Sequence, residues 1–217
     1  MITIPTPEFL RAEFFMRDEE VPASSWPRVS PSQVHEDKIL IINEENVNEF
    51  AEPEHPEADG VFLKIHNVEA TLRFADCAPV LIWGKDSAMI LHSGFKGTTL
   101  NIAAKGVELF DETPETLHAW IGPAIGLKNY VRNLYEDKWT LKGLFAFKGK
   151  NFQVSKEEGK AYFGIAGQIK WQLKKSGLAE KNIISSGVDT FENPECYSYR
   201  RGDLTERMTL KINLLPN

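Results

Sequence analysis

Two short apolar runs, Ala78–Trp83 and Ser87–Leu91, flank Gly84-Lys85. A glycine-first dipeptide between such runs suits a two-residue hairpin turn. If Trp83 pairs with Asp86, the ladder places Cys77 opposite His92. Directly opposed residues have Cβ atoms roughly 5 Å apart. At that distance a thiolate and an imidazole can share a metal, or the imidazole can activate the thiol. Pro79 cannot donate a ladder hydrogen bond, so the register is open to a break beside the pair.

The rest of the chain is read around this hairpin. Glu13–Met16 is expected as a short strand at a sheet edge and Lys38–Ile42 as a second strand. Glu44–Glu57 reads as an acidic surface loop carrying an exposed His55. Gly60–Ile65, Ala70–Phe74 and Leu117–Ile121 read as further strands. Leu100, Ala103, Ala104, Val107 and Phe110 recur at helical spacing, predicting a helix of about three turns with Thr98 or Thr99 capping its start. Residues 135–155 carry no clear period. Tyr162, Ile165, Ala166, Ile169 and Leu173 predict a second helix over 157–176, with Gly177 at its left-handed end. Ile183-Ile184 starts a strand, and Cys196–Arg200 and Met208–Leu214 read as closing strands. Many strands and two helices exclude a regular βαβ alternation. The expected class is α+β, a mixed sheet with helices packed outside it and more than one sheet in the core, in a single domain over residues 1–217.

The 217 residues carry a net charge of -6, which disfavours a general nucleic-acid binder while allowing a local basic pocket. No apolar stretch approaches the length of a membrane span. Met1-Ile2-Thr3-Ile4-Pro5 does not read as a secretory signal. Cys77 and Cys196 are the two cysteines, and two free thiols in a reducing, cytoplasmic setting are expected.

Catalytic zinc accepts thiolate and imidazole together and keeps three protein ligands with one open position. Cys77 and His92 supply two. Local texture favours His35, just ahead of a strand, for the third, with His66, at the end of one, as runner-up. His55 lies in the acidic loop, and His118 reads as a core histidine of a strand. A metal-free cysteine–histidine nucleophile and a purely structural cysteine are the alternative readings. Asp76 either binds local backbone or holds a ligating imidazole. His92-Ser93-Gly94-Phe95-Lys96-Gly97 allows a backbone anion nest supplemented by Lys96, or simply a tight strand-to-helix connection. Arg200, Arg201 and Arg207 have forks suited to phosphate or carboxylate, or to pairing with Glu195 or Glu206. Phe95, Tyr130, Tyr197 and Tyr199 are candidate stacking faces.

Six segments together resemble the YfiH-like, or DUF152, family, long labelled multicopper polyphenol oxidase (laccase). They are Gln33-Val34-His35, Glu57-Ala58-Asp59-Gly60, Ala75-Asp76-Cys77-Ala78-Pro79-Val80, His92-Ser93-Gly94-Phe95-Lys96-Gly97, Ile121-Gly122-Pro123-Ala124-Ile125-Gly126 and Tyr197-Ser198-Tyr199-Arg200-Arg201. Their order and spacing agree with the family from about residue 31 onward. The resemblance implies a metal site of His35, Cys77 and His92, a fold similar to that of the cytotoxic necrotizing factor catalytic domain, with helices outside a two-layer sheet core, and action on purine nucleosides. The implied reactions are phosphorolysis of adenosine, inosine, guanosine and methylthioadenosine, and deamination of adenosine. The family's older label implies copper-dependent oxidation of phenols, and some bacterial members are linked to peptidoglycan precursor editing.

On this reading zinc is the expected cofactor, with copper the alternative. Purine nucleosides and inorganic phosphate are the partners, and the chain works as a monomer or weak homo-oligomer. Lys96, Arg200 and Arg201 would hold phosphate, Phe95 would face the substrate, and Asp59 or Asp76 would shuttle a proton. Five histidines and two cysteines are too few for a conventional multicopper cluster. A metal-free cysteine hydrolase or deamidase and a catalytically weak binding protein are the remaining classes.

The chain departs from the family pattern in several places. Phe95-Lys96 replaces the usual Trp-Arg, and Phe74 replaces the Thr before Ala-Asp-Cys. Cys196 stands where an aromatic is usual, and the segment before Gln33 is short. Lysine keeps the charge but not the bidentate fork.

Overall fold

The computed structural model describes residues 1–135 and 137–216. In chain order the strands are β1 (Ile2–Thr3), β2 (Leu10–Phe15), β3 (Arg28–Val29), β4 (Ile39–Ile42), β5 (Gly60–Leu63), β6 (Glu69–Phe74), β7 (Ala78–Trp83), β8 (Ala88–Ser93), β9 (His118–Ile121), β10 (Val131–Asn133), β11 (Phe152–Ser155), β12 (Lys160–Phe163), β13 (Ile183–Ser185) and β14 (Met208–Leu214). The α-helices are α1 (Val47–Phe50), α2 (Phe95–Thr99), α3 (Ile102–Val107), α4 (Lys138–Ala146) and α5 (Ile165–Lys175). Three sheets result, ordered β1-β2-β14-β6-β3, β13-β9-β7-β8-β5-β4 and β10-β12-β11.

The six-stranded sheet is central because both of its faces are apolar. Val61, Leu63, Leu81, Trp83 and Ile90 face the five-stranded sheet, meeting Phe14, Leu72, Phe74, Leu210 and Ile212. Their neighbours Phe62, Val80, Ile82, Met89 and Leu91 face Ile102, Val107, Ile165, Ile169 and Leu173 of α3 and α5. Strand residues alternate faces, so a strand packed on both sides needs an unbroken apolar run. The order of layers is therefore sheet, sheet, helices, the expected α+β arrangement. No helix among the described residues is long and apolar enough to cross a membrane.

Several local expectations change. The hairpin register is two residues away from the expected one: Trp83 pairs with Ala88 and Pro79 with His92. The Gly84 amide donates to the Ser87 carbonyl at 3.1 Å, closing a four-residue loop instead of a two-residue turn. A shift of two leaves every side chain on its original face, because the pleat repeats every two residues. Cys77 thus precedes β7 without lying opposite His92. The Glu13–Met16 segment belongs to β2, which lies between β1 and β14 and not at an edge. The acidic loop contains the short helix α1.

The helix expected over Leu100–Phe110 is broken into α2 and α3 by Asn101, whose φ of 69° is left-handed. Asparagine tolerates that conformation better than most residues. Neither threonine caps a helix start: Thr98 Oγ1 bonds Ser93 Oγ and Thr99 Oγ1 donates to the Phe95 carbonyl. The second helix begins only at Ile165, because Lys160–Phe163 is drawn into the small sheet as β12 between β10 and β11. Gly177 ends that helix as expected, with φ of 104°. Cys196–Arg200 forms turns and no strand. His118 is exposed and stacks on Trp83 at 5.5 Å, because it opens β9 instead of sitting inside it.

Candidate metal centre

Three chain segments meet where the ends of β5, β7 and β8 come together. One ligand atom each from His35, Cys77 and His92 lies within 4.8 Å of the others, the one such trio among the described residues. The two imidazoles meet edge to face, with ring centroids 4.8 Å apart. His66 stands apart, with Nδ1 against the Leu215 carbonyl. His55 is exposed, with Nδ1 on the Ser30 carbonyl at 2.7 Å.

Asp59 organises two of the three ligand-bearing segments. It is fully buried at the start of β5. His92 Nδ1 donates to its Oδ1 at 2.7 Å, which leaves Nε2 as the ring nitrogen available to Cys77 or to a metal. The same carboxylate accepts the amides of Val34 (3.2 Å), His35 (2.9 Å) and Glu36 (2.7 Å). Three consecutive amides can converge on one carboxylate because His35 is left-handed, at φ 61°. These bonds and the nearby His92 outweigh burial and hold the Asp59 carboxyl below its usual value.

Cys77 is placed by a second left-handed residue, Asp76, at φ 81°. Its carboxylate accepts the Thr190 hydroxyl at 2.6 Å and the Arg200 amide at 2.8 Å, and its carbonyl accepts the Ile125 amide at 2.9 Å. Asp76 therefore anchors the 125 and 190–200 loops and does not engage an imidazole. Strained backbone of this kind persists only where its surroundings over-determine it.

The third requirement is space. A Cβ on Gly94 would sit 2.7 Å from Cys77 Sγ, and one on Gly97 would sit 2.8 Å from the Glu36 carbonyl. These glycines permit close packing, and the Thr98 amide is spent on the Gly94 carbonyl at 2.8 Å. The segment is the tight strand-to-helix connection and not an open anion nest. Burial would push the Cys77 thiol up, but the neighbouring His92 charge and hydrogen bonds from both histidines bring it down to about 6. Burial would push His92 down, yet the Cys77 charge and Asp59 raise it to about 9. Thiolate, imidazole and imidazole form a donor set that suits zinc or copper, and a carboxylate already orients one imidazole. Both cysteines are free, as expected.

The trio lies in the wall of a cavity of about 1020 Å³, lined also by Lys96, Arg132, Tyr130, Trp139, Tyr199 and Arg200. Lys96 pairs with Glu36 and lies 4.9 Å from the Trp139 ring. Arg200 lies over Tyr130 at 5.1 Å and donates to the Val131 carbonyl at 3.0 Å. Phe95 reaches the cavity but is mostly core, packed among Phe147, Phe163 and Tyr130 beneath the Arg132 guanidinium. Arg201 does not line the cavity. It is wrapped by the carbonyls of Thr190, Phe191, Asn193 and Cys196 and by Asp203, and so fastens its own loop. Tyr197 points its hydroxyl at Asp18 and also lies outside. Trp139 is hidden in the sequence because it sits in the stretch without a period, and Arg132 because it falls between the Gly122–Gly126 loop and that stretch, where no element is expected. Arg73 is hidden as a lone charge in an apolar strand.

The sequence model of the family described as multi-copper polyphenol oxidoreductase laccase matches residues 14–214. A purine nucleoside phosphorylase of Rickettsia prowazekii is 32% identical over 173 residues, covering 75% of this chain and 70% of the relative. One from Aquifex aeolicus is 27% identical over 192 residues, covering 85% and 82%. The Bacillus licheniformis protein YfiH has the same fold, with a TM-score of 0.79 at 23% identity over 94% of this chain and 92% of its own. A Neisseria meningitidis DUF152 protein superposes with a TM-score of 0.77 at 18% identity, covering 98% and 97%. Sequence, relatives and fold agree, and the chain belongs to the multi-copper polyphenol oxidoreductase laccase family, also called YfiH-like or DUF152.

Proposed function

We propose that this chain is a zinc-dependent purine nucleoside phosphorylase. The observation that carries the reading is the convergence of His35, Cys77 and His92 in the wall of a cavity whose other walls are cationic and aromatic. Relatives named purine nucleoside phosphorylase support it. Zinc held by His35, Cys77 and His92 would supply a Lewis acid.

The chain's own residues do the rest. Tyr130, Trp139 and Tyr199 offer ring faces to the purine. Lys96 and Arg200 hold inorganic phosphate and offset its charge as its oxygen bonds C1′ and the purine leaves with the electron pair of the broken C1′–N bond. Asp59 and Asp76 are positioning residues. All of Asp59's close contacts are taken by His92 and three amides, and Asp76 is committed to Thr190 and Arg200, so neither serves as a mobile proton carrier. That favours phosphorolysis over adenosine deamination, which needs such a carrier. A single three-ligand group among the described residues also disfavours multicopper oxidation. A metal-free cysteine hydrolase remains the second reading, favoured by the Cys77–His92 contact.

The test is a chromatographic assay over a nucleoside panel, with and without phosphate, comparing wild type with Cys77→Ala and His35→Ala, alongside metal analysis. About one zinc per chain and phosphate-dependent loss of inosine or adenosine in wild type alone is expected. Equal consumption by all three proteins removes the centre from the chemistry. Turnover of metal-free protein that stops when Cys77 is alkylated supports the hydrolase.

A further inference from the structure

On the outer face of the five-stranded sheet, charges are matched where the face is covered. Lys211 lies 3.1 Å from Glu13 and 3.9 Å from Glu69, and Arg11 and Arg28 pair with the same two carboxylates. The match ends where this face reaches the cavity. β14 pairs Thr209 with Arg73. Arg73 lies one residue before the end of β6 and Arg207 immediately precedes β14, so the two arginines approach the cavity from neighbouring strands.

The arginine inventory sharpens this contrast. Arg11, Arg17, Arg28, Arg132 and Arg201 each have a carboxylate partner. Among the described residues Arg73, Arg200 and Arg207 have none, and all three line the cavity at the metal centre. This occurs in a chain with a net charge of -6, where carboxylates are plentiful. Arg207 is aimed by neutral groups only: the carbonyls of Glu206 (2.7 Å) and Leu204 (3.0 Å), with the Tyr199 ring 6.0 Å away. His55, Ser32 and Thr205 line the same cavity and can add hydrogen bonds. Two guanidinium groups without a carboxylate partner, lining one cavity, suit a doubly charged oxyanion that both forks can grip. The cavity lies at the upper end of the ~300–1,000 Å³ typical of small-molecule sites, leaving room beyond base and sugar.

We propose that Arg73 and Arg207 form a second anion position, distinct from the Lys96–Arg200 pair assigned to inorganic phosphate, and that it receives a phosphomonoester carried on the substrate. The preferred ligand is then a purine nucleoside 5′-monophosphate over the free nucleoside. This rests on the nucleoside reading above.

The test is calorimetric binding of inosine, inosine 5′-monophosphate and inorganic phosphate to zinc-loaded full-length protein. The variants are Arg73→Gln, Arg73→Lys and Arg207→Gln. Wild type is expected to bind the monophosphate about tenfold more tightly than inosine, an advantage that shrinks as salt is raised. Arg73→Gln removes most of that advantage, Arg73→Lys restores part of it, and binding of inosine and inorganic phosphate is unchanged by either. Equal affinity for inosine and its monophosphate in wild type overturns the second anion position while leaving the nucleoside reading intact. An advantage that survives both glutamine variants overturns the assignment to these arginines. If neither ligand binds, both readings fall.

Discussion

The Asp59 carboxylate joins the two histidines of the trio: His92 Nδ1 donates to its Oδ1 at 2.7 Å, and the His35 amide donates to the same oxygen at 2.9 Å. One buried side chain therefore sets both a ring orientation and a loop conformation. Asparagine at this place keeps one acceptor but turns an NH2 group toward amides that need an acceptor. Asp59→Asn is expected to weaken zinc binding about 10–100-fold, the usual cost of losing a carboxylate behind a ligating histidine. Competition with a chelating dye measures it. Unchanged affinity would remove Asp59 from the centre.

Gly94 makes a complementary prediction. The Cβ of Gly94→Ala would stand 2.7 Å from Cys77 Sγ and 3.5 Å from His35 Cδ2. Ligands must keep their places within about 0.5 Å. The substitution is expected to abolish stoichiometric zinc uptake while far-ultraviolet circular dichroism stays that of wild type.

Acid stability is expected to depend on Glu13. Burial pushes this carboxyl up, but Arg11 and Lys211 outweigh it and leave it below the ordinary 4.5. A carboxyl held lower in the folded chain than in the unfolded one stabilises the fold above its unfolded value. That stabilisation is lost as pH falls through the folded value. Glu13→Gln should therefore cost about 3 kcal/mol at neutral pH, toward the low end for breaking a buried pair because Lys211 keeps Glu69. The gap to wild type should close as the solution is acidified below the ordinary carboxylate range. Urea titrations across that range read it directly, and a gap independent of pH would show that the charge is not what matters.

Asn101 tests the break between α2 and α3. At φ 69°, a β-branched side chain is strained and glycine is not. Asn101→Val is expected to destabilise by about 1–2 kcal/mol and Asn101→Gly to be neutral or nearly so. Equal losses in the two would point to the Asn101 side chain instead of its backbone.

The sequence carried the strands well because an apolar run is a statement about burial. Ala78–Trp83 and Met208–Leu214 form strands at or within a residue of their expected bounds for this reason. Helix ends were less legible. Leu100–Phe110 has helical spacing on both sides of Asn101, and spacing says nothing about one residue's φ. Lys160–Phe163 shares the spacing of α5, and only its pairing with β10 and β11 makes it a strand. The hairpin register is hidden for a similar reason: a two-residue and a four-residue loop put the same side chains on the same faces.

By itself, the sequence determined which atoms could bind a metal and that Cys77 and His92 would come close, because a thiol and an imidazole at the far ends of a hairpin have few places to go. For the third ligand local texture only suggests His35 over His66, and the resemblance makes the choice. Tertiary structure alone decided which carboxylate serves the histidines, which arginine enters the cavity and which stays in its loop. Those outcomes depend on where separate segments cross: Asp59 meets residues 34–36 ahead of β4 and β5, and Arg73 and Arg207 reach one cavity from β6 and from the approach to β14. Contacts between distant segments are settled by packing, which one-dimensional pattern does not encode.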